Sequence, residues 1–276
     1  MTKKALVVGV NDYAPIGTGG PDLNGCVNDA LDMANTLVLC GFSPRNIRLL
    51  TNYRATRSNI LAYLNWLFKN SKSGDSLVFY YSGHGTRVAN LNSDYEFDKL
   101  DEAICPHDYA SAGVIADDTF RVLFQKSLKA GVNLEVIFDC CHSGTGTRVV
   151  PGQENLSEGL RARMIEPDAE TLFYTFHERE LELPSINSRQ MVTVKNMKHT
   201  LWAGCKDSQL SYESVINGQT RGHFTREFCR VLRATNGNVT RRILDSQVQR
   251  ALATYRNNQT NQTESSAAEF GQRVFS

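Results

Sequence analysis

Two short strings hold the side chains best suited to covalent chemistry, Phe79-Tyr80-Tyr81-Ser82-Gly83-His84-Gly85-Thr86 and Phe138-Asp139-Cys140-Cys141-His142-Ser143-Gly144. A histidine in one and a thiol in the other is the pairing that nucleophilic thiol chemistry requires. The thiolate is the attacking species, a free thiol has a pKa of about 8.5, and a nearby imidazole shifts the balance toward thiolate. Both strings end apolar runs, and in an open parallel sheet ligands bind beyond the carboxyl ends of the strands. Neighbouring strands lie about 4.8 Å apart, so groups just past two adjacent ends come within hydrogen-bond reach. The backbone N–H groups of Gly85 and Cys141 are candidate donors to a developing oxyanion. Glycines on both sides of His84 let the backbone approach a substrate closely. Cys140, Cys141 and His142 are too closely spaced to be the ligands of a structural zinc site. A lone cysteine at a strand end is ordinarily a small buried hydrophobe; the conjunction of two glycine-bearing strand ends argues for more.

The elements that must position these groups are legible as alternating segments. Ala5 to Val10, Ile47 to Leu50, Ser76 to Tyr81 and Leu134 to Phe138 are continuously apolar runs, as in strands covered on both faces. Between them Asn24 to Leu39 and Thr56 to Phe68 repeat apolar residues at helical spacing, and Asp117 to Ala130 opens on two acids that suit a helix N-terminus. The alternation predicts an α/β domain with a largely parallel sheet and helices on both faces. From Gly144 to Asn196 no periodicity is visible, and a stretch of this kind inside a domain is functional or disordered. Thr200 to Cys205 reads as a further strand, Thr225 to Ala234 and Arg241 to Tyr255 as helices, and Arg256 to Ser266 as a solvated segment.

With 276 residues the chain fits one large domain. A hydrophobic content of 41% and a net charge of +1 give a proper core and no global drive toward nucleic acid or an anionic membrane. Seven cysteines form no spaced framework. The apolar stretch after Lys4 is too short for a membrane helix and runs into Asn11-Asp12, so it reads as a buried first strand. The expectation is a cytoplasmic protein with reduced thiols.

The strings Tyr-Ser-Gly-His-Gly and Asp-Cys-Cys-His-Ser-Gly resemble those of metacaspases and their prokaryotic relatives, the orthocaspases. Supporting matches are Gly25-Cys26-Val27-Asn28-Asp29-Ala30, Asp101 to Asp108, Asp117-Asp118, Ala203 to Gln209 and Gly222-His223-Phe224-Thr225. The interval from His84 to Cys141, 57 residues (141 minus 84), is near the roughly 50 of caspase signatures. The resemblance implies a caspase-like α/β fold and a cysteine endopeptidase with His84 and Cys141 as catalytic dyad. Cys141 takes the role because it directly precedes His-Ser-Gly, which leaves Cys140 structural. It further implies cleavage after Arg, less well after Lys, with Asp29, Ser82 and Asp139 lining the pocket.

On this reading residues 1–276 form one domain, in which 1–145 is a large-subunit-like part. Residues 146–196 would be a flexible linker carrying self-cleavage sites, and 197–276 a small-subunit-like part. Among the linker arginines, Arg161 and Arg163 are the favoured sites, after Ser157-Glu158-Gly159. Many metacaspases bind calcium, and Asp101, Asp117 and Asp118 match three family ligands; the fourth position is Arg148, whose charge should repel the ion. No cofactor is therefore expected. Partners would be peptides or proteins with basic residues, with neither nucleic acid nor membrane, and a monomer is favoured. The alternative is a catalytically silent scaffold on the same fold, which the presence of both dyad residues disfavours.

Overall fold

The computed structural model describes residues 1–13, 22–89, 100–141, 160–165, 199–206, 208–255 and 257–276. The central sheet has six strands: β1 (Lys3–Gly9), β2 (Ile47–Thr51), β3 (Ser76–Ser82), β7 (Asn133–Asp139), β9 (Thr200–Ala203) and β12 (Gln262–Glu264). Their order is β12-β9-β7-β3-β1-β2, with all neighbours parallel except β12, which runs antiparallel on β9. The four apolar runs of the first half are the strands expected of them. The reason is burial on both faces, since every residue of β3 is buried.

Helices cover the two faces. α1 (Cys26–Leu39), α5 (His223–Thr235) and α6 (Arg241–Leu252) pack Met33, Leu37, Phe228 and Leu244 against Val7, Tyr80 and Ile137. α2 (Arg57–Phe68) and α4 (Asp117–Ser127) pack Ile60, Leu64, Phe120 and Phe124 against Leu6, Phe79 and Val136 on the other. α4 does begin at the Asp117-Asp118 pair. Two small helices, α3 (Tyr109–Ala112) and α7 (Ala267–Phe270), complete the set among the described residues.

Two three-stranded antiparallel sheets flank the carboxyl end of the main sheet. One consists of β4 (Gly85–Ala89), β5 (Leu100–Ile104) and β6 (Ile115–Ala116). The other consists of β8 (Arg161–Ala162), β10 (Tyr212–Ile216) and β11 (Gln219–Gly222). The turn between β10 and β11 is Asn217-Gly218, with φ of 53° and 79°. Only Asn and Gly tolerate this pair readily, so it is a hairpin signal the periodicity reading passed over.

Two expectations need correction. Residues 160–165, inside the stretch read as a flexible linker, are folded onto the sheet edge through β8; the rest of that stretch lies outside the described residues. The segment Arg256 to Ser266, read as solvated, supplies edge strand β12 and the buried Gln259 and Asn261. Gln259 is polar yet buried because its Nε2 donates to Gly204 O at 2.8 Å and to Ser211 Oγ at 3.0 Å.

Candidate active site

Strands β3 and β7 are paired in register up to Ser82 and Asp139, so His84 and Cys141 each stand two residues beyond the last pair. The turn after β3 is held tightly. The N–H of His84 donates to Tyr13 Oη at 2.6 Å, and its C=O accepts from Cys105 N at 3.0 Å. Tyr81 Oη lies 2.8 Å from His84 O and 2.7 Å from Cys105 O, so one proton serves both carbonyls. The Tyr13 ring sits 4.9 Å from the imidazole. Gly83 is glycine because a Cβ there would come 2.4 Å from Tyr81 Oη and 2.6 Å from Tyr13 Oη. The reading that both glycines open the way to substrate therefore fails for Gly83, whose space is filled by the clamp on His84.

Cys141 Sγ accepts from the Ser211 N–H at 2.7 Å and lies 3.3 Å from Ser211 O. The Cys205 thiol donates to Gln209 O at 3.4 Å and to Cys140 O at 3.7 Å. The neighbouring Cys141 thiol, followed by burial, raises its pKa well above the ordinary thiol value, so Cys205 stays protonated. Burial, then repulsion from Cys141, likewise raises Cys140, which points into the apolar layer with Phe79 and Tyr81. The two adjacent thiols are thus separated by their environments. His142, Ser143 and Gly144 lie outside the described residues.

A cluster of buried carboxylates lies near Cys141, on the side of the sheet covered by α1 and α5. Asp29 comes from the first turn of α1, which approaches β1 closely because Gly9 has no side chain; a Cβ there would lie 2.4 Å from Cys26 O. Asp29 Oδ2 accepts from Ser82 Oγ at 3.2 Å, and both its oxygens accept from Gly222 N, at 3.1 and 3.0 Å. Asp139 accepts from Ser211 Oγ at 2.6 Å, and from Thr225 N at 3.1 Å and Oγ1 at 2.6 Å. A third carboxylate, Glu213 of β10, accepts from Asn24 N at 2.8 Å and Gly25 N at 3.0 Å. Sequence reading missed Glu213, since no motif marks it. Bare walls at Gly25 and Gly222 leave room for an occupant; a Cβ on Gly222 would meet Asp139 Oδ2 at 2.4 Å.

The occupant is Arg163 of the same chain. Its Nη1 lies 2.9 Å from Asp139 Oδ2 and 2.9 Å from Ser82 Oγ, and its Nη2 lies 2.6 Å from Asp29 Oδ2 and 3.2 Å from Glu213 Oε2. Burial opposes its charge, but Asp139, Asp29 and Glu213 more than offset that and keep it a cation. Its N–H donates to Ser211 O at 3.0 Å, and its carbonyl oxygen accepts from Gly85 N and Cys141 N, each at 3.1 Å. These are the two donors named from sequence as an oxyanion site. Arg161, the other favoured cleavage residue, is exposed, with Nη1 bonded to Asp22 O at 2.9 Å. The structure brings together Cys141, Gly85, Asp29, Ser82, Asp139 and Arg163, places His84 just beyond the neighbouring strand end, and leaves Arg161 outside.

The charge count in the pocket is uneven, with three buried carboxylates facing one guanidinium. Burial, moderated by Arg163, raises Asp29 to about 6. A balanced pair elsewhere shows the contrast. Glu135 in β7 meets Arg241 Nε at 2.9 Å and Trp202 Nε1 at 2.8 Å, joining the first part of the chain to the last.

Asp101, Asp117 and Asp118 do converge, with one oxygen of each within 4.8 Å of the others. Burial, then Asp101 and Asp118, push Asp117 up to about 8. Asp118 is already engaged by the Arg121 guanidinium, which competes with a cation for that oxygen. Position 148, the fourth place in the family pattern, lies outside the described residues.

A family model described as "Metacaspase, peptidase C14 domain" matches residues 3–149. Similar curated proteins include Metacaspase-1A of Aspergillus oryzae, 32% identical over 84% of this chain and 60% of that protein. Metacaspase-1 of Pyricularia oryzae is 32% identical over 88% of this chain and 67% of its own length. The chain thus spans about 60% of the first of these relatives. A crystal structure of a protein from Geobacter sulfurreducens is similar across 100% of this chain and 99% of its own, with TM-score 0.75 and 27% identity. No helix among the described residues is long and apolar enough to cross a membrane.

Proposed function

Because the chain belongs to the metacaspase family, we propose that it is a cysteine endopeptidase that cuts after arginine, and that its first substrate is its own Arg163–Met164 bond. The observation that carries this reading is the seating of Arg163, side chain among carboxylates and carbonyl oxygen on two N–H groups beside Cys141. In the reaction, the Cys141 sulfur attacks the arginyl carbonyl carbon while His84 takes the thiol proton. Charge gathers on the oxygen held by Gly85 and Cys141, donors already at the 2.7–3.1 Å reach such stabilisation requires. The C–N bond breaks as His84 returns the proton to the leaving Met164 nitrogen, and water hydrolyses the acyl-enzyme to regenerate the thiol. Lysine fits less well, since an ammonium cannot reach Asp29 and Asp139 with two separate nitrogens as the guanidinium does.

A buried arginine could instead be a purely structural ion pair. Against that, every pocket carboxylate keeps backbone or hydroxyl donors of its own, so the pocket persists when the guanidinium leaves. Intact mass measurement of purified wild-type chain decides the matter: fragments 1–163 and 164–276 are expected, with Cys141→Ala staying whole. The fragments should co-elute on gel filtration, because β7 pairs with β9 and Glu135 holds Trp202 and Arg241 across the cut. A cut at Arg161, or none, would contradict this seating.

The pocket also sets a pH dependence. Asp29, near 6 with Arg163 beside it, lies higher once that cation is withdrawn, because Arg163 lowers it. The carboxylate that attracts the substrate exists above this value and is neutralised below it. KM for arginyl peptides should therefore rise as pH falls toward about 6, starting above that value, and level off below it. Asp29→Ala should remove that rise and lower kcat/KM more than about tenfold, roughly 1.4 kcal/mol. A KM that is flat with pH in the wild type would remove Asp29 from the binding step.

Calcium is proposed to be unnecessary, given Arg121 on Asp118 and the arginine at position 148. Peptide hydrolysis in EGTA should match that in millimolar calcium; a large saturable rise with calcium would overturn this.

A further inference from the structure

The backbone of 161–165 changes partner at the bond to be cut. Before it, Arg161 and Ala162 pair antiparallel with Glu213 and Tyr212 of β10. After it, Met164 bridges in parallel to Gly85, and the Ile165 N–H donates to Gly85 O at 3.0 Å. Gly85 therefore grips the chain on both sides of the bond, donating to the Arg163 carbonyl and accepting from the amide two residues later.

The side chains separate in the same way. Ser82 and Asp139 follow Tyr80 and Ile137 in alternation, so the guanidinium enters the layer under α1 and α5. Ile165 packs against the opposite apolar layer, the one that holds Phe79, Tyr81, Val88 and Cys140. The chain thus crosses the carboxyl edge of the sheet, with its cation on one face and an aliphatic group on the other.

We infer that Gly85 and the apolar layer beside it form a subsite for the second residue after the cleaved bond, and that this subsite selects aliphatic side chains. The substrate class is then an extended segment of the form Arg, any residue, aliphatic residue. The inference rests on the proposed peptidase reading. It adds that efficient substrates carry at least two residues beyond the arginine. A charged group at the second would lose part of its hydration against this apolar layer, where Ile165 is partly buried.

The test uses wild-type chain and internally quenched peptides carrying the sequence of residues 160–165, varied only at the last position. An arginyl aminocoumarin peptide, which has no residue beyond the bond, is the companion substrate. Ile and Leu at the varied position should give kcat/KM values within about threefold of each other, and Asp should lower it at least tenfold. Equal values for Ile and Asp, with the aminocoumarin cleaved, would overturn the subsite and leave the arginine peptidase standing. Failure to cut any of the arginyl substrates would overturn both together.

Discussion

Cys141→Ala is expected to abolish turnover of arginyl peptides and to leave the chain in one piece, whereas Cys140→Ser should retain substantial activity. The two thiols are adjacent in sequence but face different surroundings. Cys140 is packed in the apolar layer and burial raises its pKa, so its thiolate is scarce. Cys141 receives the Ser211 N–H at 2.7 Å, and its own N–H holds the Arg163 carbonyl. His84→Ala should lower kcat by about 10²–10⁴, the usual contribution of a positioned acid–base group. The measurement is single-substrate kinetics on variants whose folding is verified by thermal unfolding. A dead Cys140→Ser together with an active Cys141→Ala would reverse the assignment.

Arg163→Ala is expected to give a chain that is not cut between 163 and 164, yet hydrolyses arginyl peptides from the first time point. Wild type, by contrast, should show a lag or a low initial rate, because its own guanidinium fills the carboxylate cluster. On the proposed reading the seated arginine would be a cork as well as a cleavage site, and removing its side chain would substitute for removing the segment. The variant should fold, since Asp139, Asp29 and Glu213 keep their donors from Thr225, Gly222 and Gly25. Breaking a buried pair ordinarily costs about 3–5 kcal/mol by leaving a charge uncompensated. Here Asp29, raised to about 6 even with the cation present, can take up a proton and limit that cost. Progress curves at equal enzyme concentration check it. An Arg163→Ala chain with lower initial activity than wild type, though folded, would show that cleavage itself, not vacancy of the pocket, is needed.

The contrast with Arg241 indicates which buried arginine is exchangeable. Arg241 meets one carboxylate, Glu135, which Trp202 also engages, so charge balances and the site has no cause to open. Arg163 meets three carboxylates and leaves its Nε without a partner. A surplus of negative charge is costly for a structural pair and useful to a site that must accept a cation repeatedly.

Much of this was fixed locally and could be read from the chain. Continuous apolar runs gave β1, β2, β3 and β7, because strands buried on both faces need no alternation. The strings around His84 and Cys141 marked the two strand ends, and their shared offset beyond Ser82 and Asp139 follows from a parallel register. Asp29, Ser82 and Asp139 were named through family resemblance and do meet in one pocket.

The remainder depends on contacts between residues far apart, which no local pattern encodes. Glu213 is buried while Val215 of the same strand is 61% exposed, the reverse of hydrophobic ordering, because the pocket outweighs the strand's own pattern. Residues 160–165 lack periodicity, yet they are ordered by pairing with β10 and by an ion cluster contributed from residues 29, 139 and 213. The choice between Arg161 and Arg163 is likewise tertiary: two residues apart in an extended segment, they share a side by alternation alone, and only the contacts of residue 163 with Ser211, Gly85 and Cys141 and with the carboxylate cluster bury Arg163 while Arg161 stays exposed.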